Sequence, residues 1–452
     1  MPRNPIAVFA RLLIGCLGLI GLVALSVGGR QLVVDGNGEL ARLEGITGQG
    51  TNAQPYILDG FVFQRGDPSV GLVLRNITQP TILRNMVFLD CEAEALRFES
   101  CHSIWVLECV FEENAVAVAA TFECEDIVLS LNTFRENAVD VESSSGSVDL
   151  DDGHVGNWWD SYEGIDTSGD GVGNKPHTFG SGSDSLMDNY PLIAPYAGGA
   201  APQADEFRLE TLLSMGDVQS YATVVESVIE ISTTTAESTS QITLHGISRT
   251  EVLTAPGTGF HEVLTTLADP EIEVVTDGEA MAPTESSDTI ERSLMHRFGG
   301  GTVTVSSDGD QPSIGPASYA GAPFPVRPIP VGYTWTSEHT QGPEYIGAQR
   351  GGVDAQVSYT LVGIEDVDGT ACAVLVTATE TVIRAETDDP TLGLVTYRGG
   401  GTTTLTSWLP LDGGLALRTR LESEVSIRTY VDGDQSGATT TTMRIHMDPM
   451  TP

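Results

Sequence analysis

The sequence predicts an all-β chain: a short solenoid of stacked parallel β coils in front, and a domain of long antiparallel strands behind it. Three observations lead there. First, a 23-residue repeat runs through the front, carried by Phe88, Phe111 and Phe134, by Ile104, Ile127 and Leu150, by Cys101 and Cys124, and by Asn114 and Asn137 of the matching pieces FEENAV and FRENAV. A unit that short cannot bury its own apolar face, so it stacks on its neighbours, like residue over like residue. Second, runs such as Ala95-Leu96-Arg97-Phe98 alternate with the period of a strand, and nothing between them has helical length. Third, from about residue 205 the texture changes to long Thr-, Val- and Glu-rich alternating runs, such as Val228-Ile229-Glu230-Ile231-Ser232-Thr233, which mark antiparallel strands with one wet face.

The elements follow in order. Residues 1–29 are an export element: Arg3 and Arg11 precede an uncharged apolar run, Leu12 to Val27, which reads as a signal peptide or a membrane anchor. The basic flank belongs on the inside, which sends the rest of the chain out of the cytoplasm. Residues 30–155 hold the solenoid, with a Gly-rich lead-in and regular structure expected from Pro55-Tyr56-Ile57-Leu58. Residues 156–196 form a Gly/Asp/Trp-rich cap, and 197–204, with Ala197-Gly198-Gly199-Ala200-Ala201-Pro202, a linker. In the rear domain, 205–452, Arg297-Phe298-Gly299-Gly300-Gly301-Thr302 is echoed by Tyr397-Arg398-Gly399-Gly400-Gly401-Thr402. The echo reads as two related lobes, with each triple glycine a turn.

Net charge is −40 from 62 acidic and 22 basic residues, and Lys175 is the single lysine. Such a surface repels nucleic acid and anionic lipid and suits a high-salt setting, where it is screened. The six cysteines include no Cys-x-x-Cys pair, and Cys101 and Cys124 occupy one coil position, so they read as small buried hydrophobes. The eight histidines are scattered, which speaks against copper.

Two stretches resemble a known family. Gly48-Gln49-Gly50-Thr51 to Asp59-Gly60-Phe61 resembles the "G-x-G-T…PYIIEGW" opening of archaeal surface β-helix proteins. Gly156-Asn157-Trp158-Trp159-Asp160-Ser161-Tyr162 through Asp188-Asn189-Tyr190-Pro191-Leu192 resembles their "GNYWSDY…GDGIGD…DNYPL" exit. Together, over about residues 30–196, they are similar to the NosD-type, or carbohydrate-binding and sugar-hydrolase (CASH), right-handed parallel β-helix. The resemblance implies that fold, at the cell surface. Its founders are named as periplasmic copper-binding accessories to nitrous-oxide reductase, a role the scattered histidines do not support.

Four constellations are candidates for chemistry. Asp166, Ser168, Asp170, the Val172 carbonyl and Asn174 fall at positions 1, 3, 5, 7 and 9 of a loop with glycine at 6, the spacing that wraps Ca2+; His177 stands where the bidentate glutamate belongs. The competing reading is an Asp/Gly turn. Trp158, Trp159 and Tyr162 offer faces for a sugar ring or a lid over the last coil. Asp140, Glu142, Asp149, Asp151 and Asp152, with Arg97, are the basis for a polysaccharide hydrolase or lyase, which needs facing carboxylates in a groove. An open sheet in the rear domain would offer an apolar-ligand site. The reading taken forward is an exported cell-surface protein with a non-enzymatic binding, adhesion or scaffold role. Its expected partners are cell-surface polysaccharide or an envelope protein, with the membrane reached through the N-terminal segment.

Overall fold

The computed structural model describes residues 32–64, 71–121, 123–143, 148–179, 185–196, 205–254, 260–281, 289–299, 301–305, 324–343 and 348–450. Residues 1–29, expected to direct export, and the expected 197–204 linker lie outside these residues. The chain forms two compact units, one made chiefly of residues up to Ala200 and one of residues from Ala201 onward, with Ser168–Asp170 counted in the second.

The first unit is a β-solenoid of three parallel sheets with five strands each. The first sheet stacks Leu32–Asp35, Leu72–Arg75, Glu94–Glu99, Val116–Ala120 and Val141–Ser143. The second stacks Tyr56–Asp59, Thr81–Arg84, His102–Leu107, Glu125–Ser130 and Val148–Asp149. The third stacks Val62–Gln64, Val87–Leu89, Val110–Glu112, Thr133–Arg135 and Trp158–Trp159. Among the described residues, regular structure therefore begins at Leu32, inside the expected lead-in, because Leu32-Val33-Val34-Asp35 pairs in register with Leu72-Val73-Leu74-Arg75.

Stacking sets the interior. Rings of Phe63, Phe88, Phe111, Phe134 and Trp159 lie over one another at 5.0, 4.8, 4.9 and 4.2 Å, close to the spacing of the strands that carry them. One part of the repeat slips: Val148, not Leu150, pairs with Ile127. The last coil is two residues shorter there, and an even slip keeps the inward alternation, so both Val148 and Leu150 are buried. Corners repeat as well. Asn85, Glu108 and Leu131, and likewise Asp90, Glu113 and Glu136, hold φ between 52° and 62° at the same bend of successive coils. Left-handed backbone at non-glycine residues costs on the order of 1 kcal/mol each, and the stacked neighbours over-determine it.

Asparagines satisfy the backbone at two of these bends. The Asn114 carbonyl accepts the Cys91 N–H, and its amide donates to the Phe88 carbonyl and to Asn137 Oδ1. Asn132 does the same for Cys109 and Val106, and its own N–H and amide donate to Asn157 Oδ1. Cys91, Cys101, Cys109 and Cys124 are buried free thiols, in line with the hydrophobe reading. Burial pushes the Cys101 thiol up to about 11, so it carries no thiolate reactivity at neutral pH.

The second unit is an antiparallel sheet. We number its long strands β1 (Val218–Thr233), β2 (Glu237–Thr254), β3 (Phe260–Thr276), β4 (Thr289–His296), β5 (Gly301–Val305), β6 (Thr334–Gln341), β7 (Arg350–Val367), β8 (Thr370–Asp389), β9 (Gly393–Pro410), β10 (Arg418–Val431) and β11 (Asp434–Pro449). Their order is β5-β4-β3-β2-β1-β11-β10-β9-β8-β7-β6. The two expected lobes are thus two meanders, β1–β5 and β6–β11, that join where β1 pairs with β11 to make one sheet. The triple glycine 399–401 is not a turn but the middle of β9. A Cβ at Gly399, Gly400 or Gly401 would lie 2.1, 2.2 or 2.0 Å from a neighbouring strand's carbonyl oxygen, so close approach explains the glycines.

Candidate functional site

The segment that ends the solenoid is built around one carboxyl. Asp188 is fully buried, and its oxygens accept the Asn157 N–H (2.8 Å), the Trp159 indole N–H (2.8 Å) and the Tyr190 N–H (3.0 Å). It stands where the next coil would supply another asparagine, and so terminates the Asn132–Asn157 ladder. Trp159 likewise terminates the ring stack. Gly156 has no side chain because a Cβ there would lie 1.8 Å from Asp188 Oδ1. The Gly-Asn-Trp-Trp and Asp-Asn-Tyr pieces are therefore two halves of one cap. Burial pushes the Asp188 carboxyl up to about 7 against the three donated hydrogen bonds.

Beside this cap, on the outer face of the second sheet, runs a groove of about 420 Å³. Trp105 lies in register with Val128, and Val128 in register with Asp149, so the three face the groove from successive coils. Asp151, Asp152, Met187 and Asn189 complete the lining. Two of its three carboxylates are structural. Asp151 accepts the Gly153 N–H and both the backbone and side-chain N–H of Asn189. Asp152 accepts the His154 and Val155 N–H groups and the Ser130 hydroxyl. Asp149 accepts no hydrogen bond among the described residues; burial, then Asp151 and Asp126, raise its pKa. Trp105 was legible in principle: it follows the inward Ile104, and strand alternation turns it outward.

Arg97 lies elsewhere, on the first sheet, ion-paired to Glu99 at 2.7 Å and Glu94 at 3.1 Å. Arg75 also meets Glu99, and Arg135 holds Glu112 at 2.6 Å. These arginines pair along the coil surface and bring no cation to the groove. Asp140 accepts the Asn137 amide and is raised chiefly by burial; it too is absent from the groove lining.

Of the aromatics expected to stack on sugar, Trp159 is enclosed at 1% exposure and has no face to offer. Tyr162 lies across Gly164 and Gly173, where any Cβ would meet its phenol within about 2 Å, and its hydroxyl donates to the Lys175 carbonyl. Trp158 stays half-buried on the third sheet. Ser161 Oγ lies 3.2 Å from His177 Nε2, the start of a nucleophile dyad. The acid that would complete it, Asp188, pairs with His177 through backbone but spends its oxygens on the cap.

In the Asp166–Asn174 loop, Asp166 Oδ2 accepts the Gly171 N–H at 2.9 Å, and Asn174 Oδ1 accepts the Ile165 N–H at 3.3 Å. Gly169 and Gly171 hold φ of 87° and 91°. The first carboxylate thus closes on the sixth N–H, the curl of a cation loop and of an Asx turn alike. No group of three or more His, Cys, Asp or Glu able to hold a metal exists among the described residues.

Sequence spacing could not reveal a buried polar cluster in the second unit. Glu210 accepts from Arg297 at 3.0 Å and Arg208 at 3.3 Å. Buried His261 and His296 stand on the paired strands β3 and β4. Burial holds His261 down at about 4, neutral at physiological pH.

The sequence matches no protein-family model and no curated protein. Similarities to solved structures are weak. DynF from the dynemicin biosynthesis pathway of Micromonospora chersina is 10% identical over 56% of this chain and 88% of that one, with a TM-score of 0.17. The enzymatically active domain of bacteriophage CBA120 tailspike protein 2 is 10% identical over 62% of this chain and 48% of that one, TM-score 0.19. An outer membrane channel from Pseudomonas putida F1 is 12% identical over 55% and 99%, TM-score 0.19. At these scores the likenesses assign neither activity nor ligand.

Proposed function

We propose that this chain is an exported cell-envelope protein whose solenoid groove holds a carbohydrate without cleaving it. The observation that carries the reading is Trp105, an outward indole in a groove whose carboxylates Asp151 and Asp152 are already committed to N–H and hydroxyl donors. An indole face packs against the C–H face of a sugar ring, while Asp149 and Asn189 can meet its hydroxyls. Hydrolysis needs two available carboxylates, one as acid and one as base or nucleophile; the groove offers Asp149 alone in that state. The apolar export segment and the resemblance of the opening and exit motifs to archaeal surface β-helix proteins, the NosD/CASH type, support the location.

A glycan-array screen of the full chain in mild detergent tests this. Trp105→Ala is expected to weaken binding of the captured glycan at least about tenfold, or ~1.4 kcal/mol, with the melting temperature unchanged. No glycan captured by the wild type overturns the proposal. Release of new reducing ends or unsaturated products, abolished by Asp149→Asn, establishes the polysaccharide-active enzyme instead.

Calcium enters the same proposal as a brace on the cap, with oxygens from Asp166, Ser168, Asp170, the Val172 carbonyl and Asn174. Lacking a third carboxylate, the loop would bind only in the range of about 0.1–1 mM. Millimolar calcium is expected to raise the melting temperature of wild type and not of Asp170→Ala. Equal melts with calcium and with chelator, in both proteins, dismiss the idea.

A further inference from the structure

Every Asp, Glu and Arg of strands β1, β2, β8, β9, β10 and β11 lies on one face of the sheet, save Asp389 at the last position of β8 and Asp434 at the first position of β11, which a bulge turns to the side of Val431. In register across them, Glu226, Arg444, Glu422 and Thr404 form one row of that charged face. The opposite face runs through Val225, Ile445, Leu421 and Leu405, with Met443 and Thr441 beside them, and between those two end positions carries only apolar, glycine and uncharged polar side chains. Those residues are partly open, and Ile231 is 44% exposed. Several of the hydroxyls pair with each other along the sheet, Thr403 with Ser423 at 2.8 Å and Ser240 with Thr276 at 3.0 Å, so they can be covered without losing partners; at the rim, Thr223 and Ser248 are already buried within the chain.

We propose that this face, uncharged between its hairpin ends, is the interface between two copies of the chain, packed sheet on sheet. In a chain of net charge −40, it is a face on which two copies meet with carboxylates only at the hairpin ends, Asp389 and Asp434. Its size fits: six strands ~4.8 Å apart, over ~11 residues of ~3.3 Å each, span on the order of 1,000 Å². A stable interface takes about 800 Å² per partner. Antiparallel sheets with one apolar face pack this way, with side chains interleaved between layers ~10 Å apart.

Sedimentation velocity of the full chain in mild detergent tests the proposal. Wild type is expected to dimerise at micromolar concentration, and more tightly in molar salt, where the Debye length falls to about 3 Å and repulsion between the acidic bodies is screened. Ile445→Glu and Thr441→Asp each place a carboxylate in the face and are expected to raise the dimer dissociation constant at least about a hundredfold. Thr442→Glu, on the charged side of the same strand, leaves it unchanged. Circular dichroism and melting of each variant separate lost association from lost folding; Thr441→Asp, in a hydroxyl row, is the milder of the two. A monomeric wild type overturns the proposal, as does a dimer that both variants retain. Should a monomeric wild type instead take up a fluorescent fatty acid that Ile445→Glu excludes, the face holds acyl chains and not a second copy.

Discussion

Asp188→Ala is expected to destabilise the first unit by about 3–6 kcal/mol, because it leaves the Asn157, Trp159 and Tyr190 N–H donors buried without an acceptor, each at roughly 1–3 kcal/mol. Chemical denaturation followed by tryptophan fluorescence measures it, since Trp159 loses its partner at the same time. A loss below about 1 kcal/mol would show that the cap is not anchored there. The same carboxyl sets a pH dependence. Its folded pKa, about 7, lies above the unfolded value near 3.8. The fold therefore favours the neutral acid, and the stabilisation is fully present below pH ~4 and lost as pH rises through ~7. Asp188→Asn keeps a neutral acceptor for Asn157 and Trp159 but turns an amide N–H toward Tyr190. Its stability is expected to be lower than wild type at pH 5 and flat from there to pH 8.5, where the wild type declines. Parallel pH profiles for the two proteins would contradict the assignment.

Phe111→Ala carries the other large effect. The ring is fully buried and stacked on Phe88 and Phe134 at 4.8 and 4.9 Å, in a column that cannot close over a gap without shifting whole coils. The expected cost is about 3–5 kcal/mol, seen as a lower urea midpoint. Phe111→Leu should cost under half of that, and Val139→Ala, at a site 42% exposed, within about 0.5 kcal/mol of zero. If Phe111→Ala and Val139→Ala proved alike, the column would not be holding the coils together.

Much of this architecture is legible in the chain because the solenoid is local in its logic. One coil returns to its starting position in about 23 residues, so like residues at that spacing must stack, and Phe88, Phe111 and Phe134 do. Asn114 and Asn137 were visible as a repeat, though not as hydrogen-bonded rungs. Trp105 was readable from alternation with Ile104. The slip of Leu150 was not, since an insertion or deletion of two residues preserves the inward pattern that the reading relies on.

By itself, then, the sequence determined the two β architectures, through a repeat too short to fold alone and through alternating runs that segregate charge. Only the tertiary structure decided what the special residues do. Asp188 is 31 positions from Asn157 and meets it because the cap folds back over the last coil. That contact makes the Asp188-Asn189-Tyr190 exit motif the end of an asparagine ladder, and encloses Trp159, one of the aromatics expected to face a sugar. Strands β1 and β11 pair although they stand at opposite ends of the second unit's sequence, and that register gathers the charged residues of six strands, all but Asp389 and Asp434, onto one face. Periodicity reports which side of its own strand a residue takes. Which sides come together is set by long-range pairing, whose free energy depends on all the strands at once.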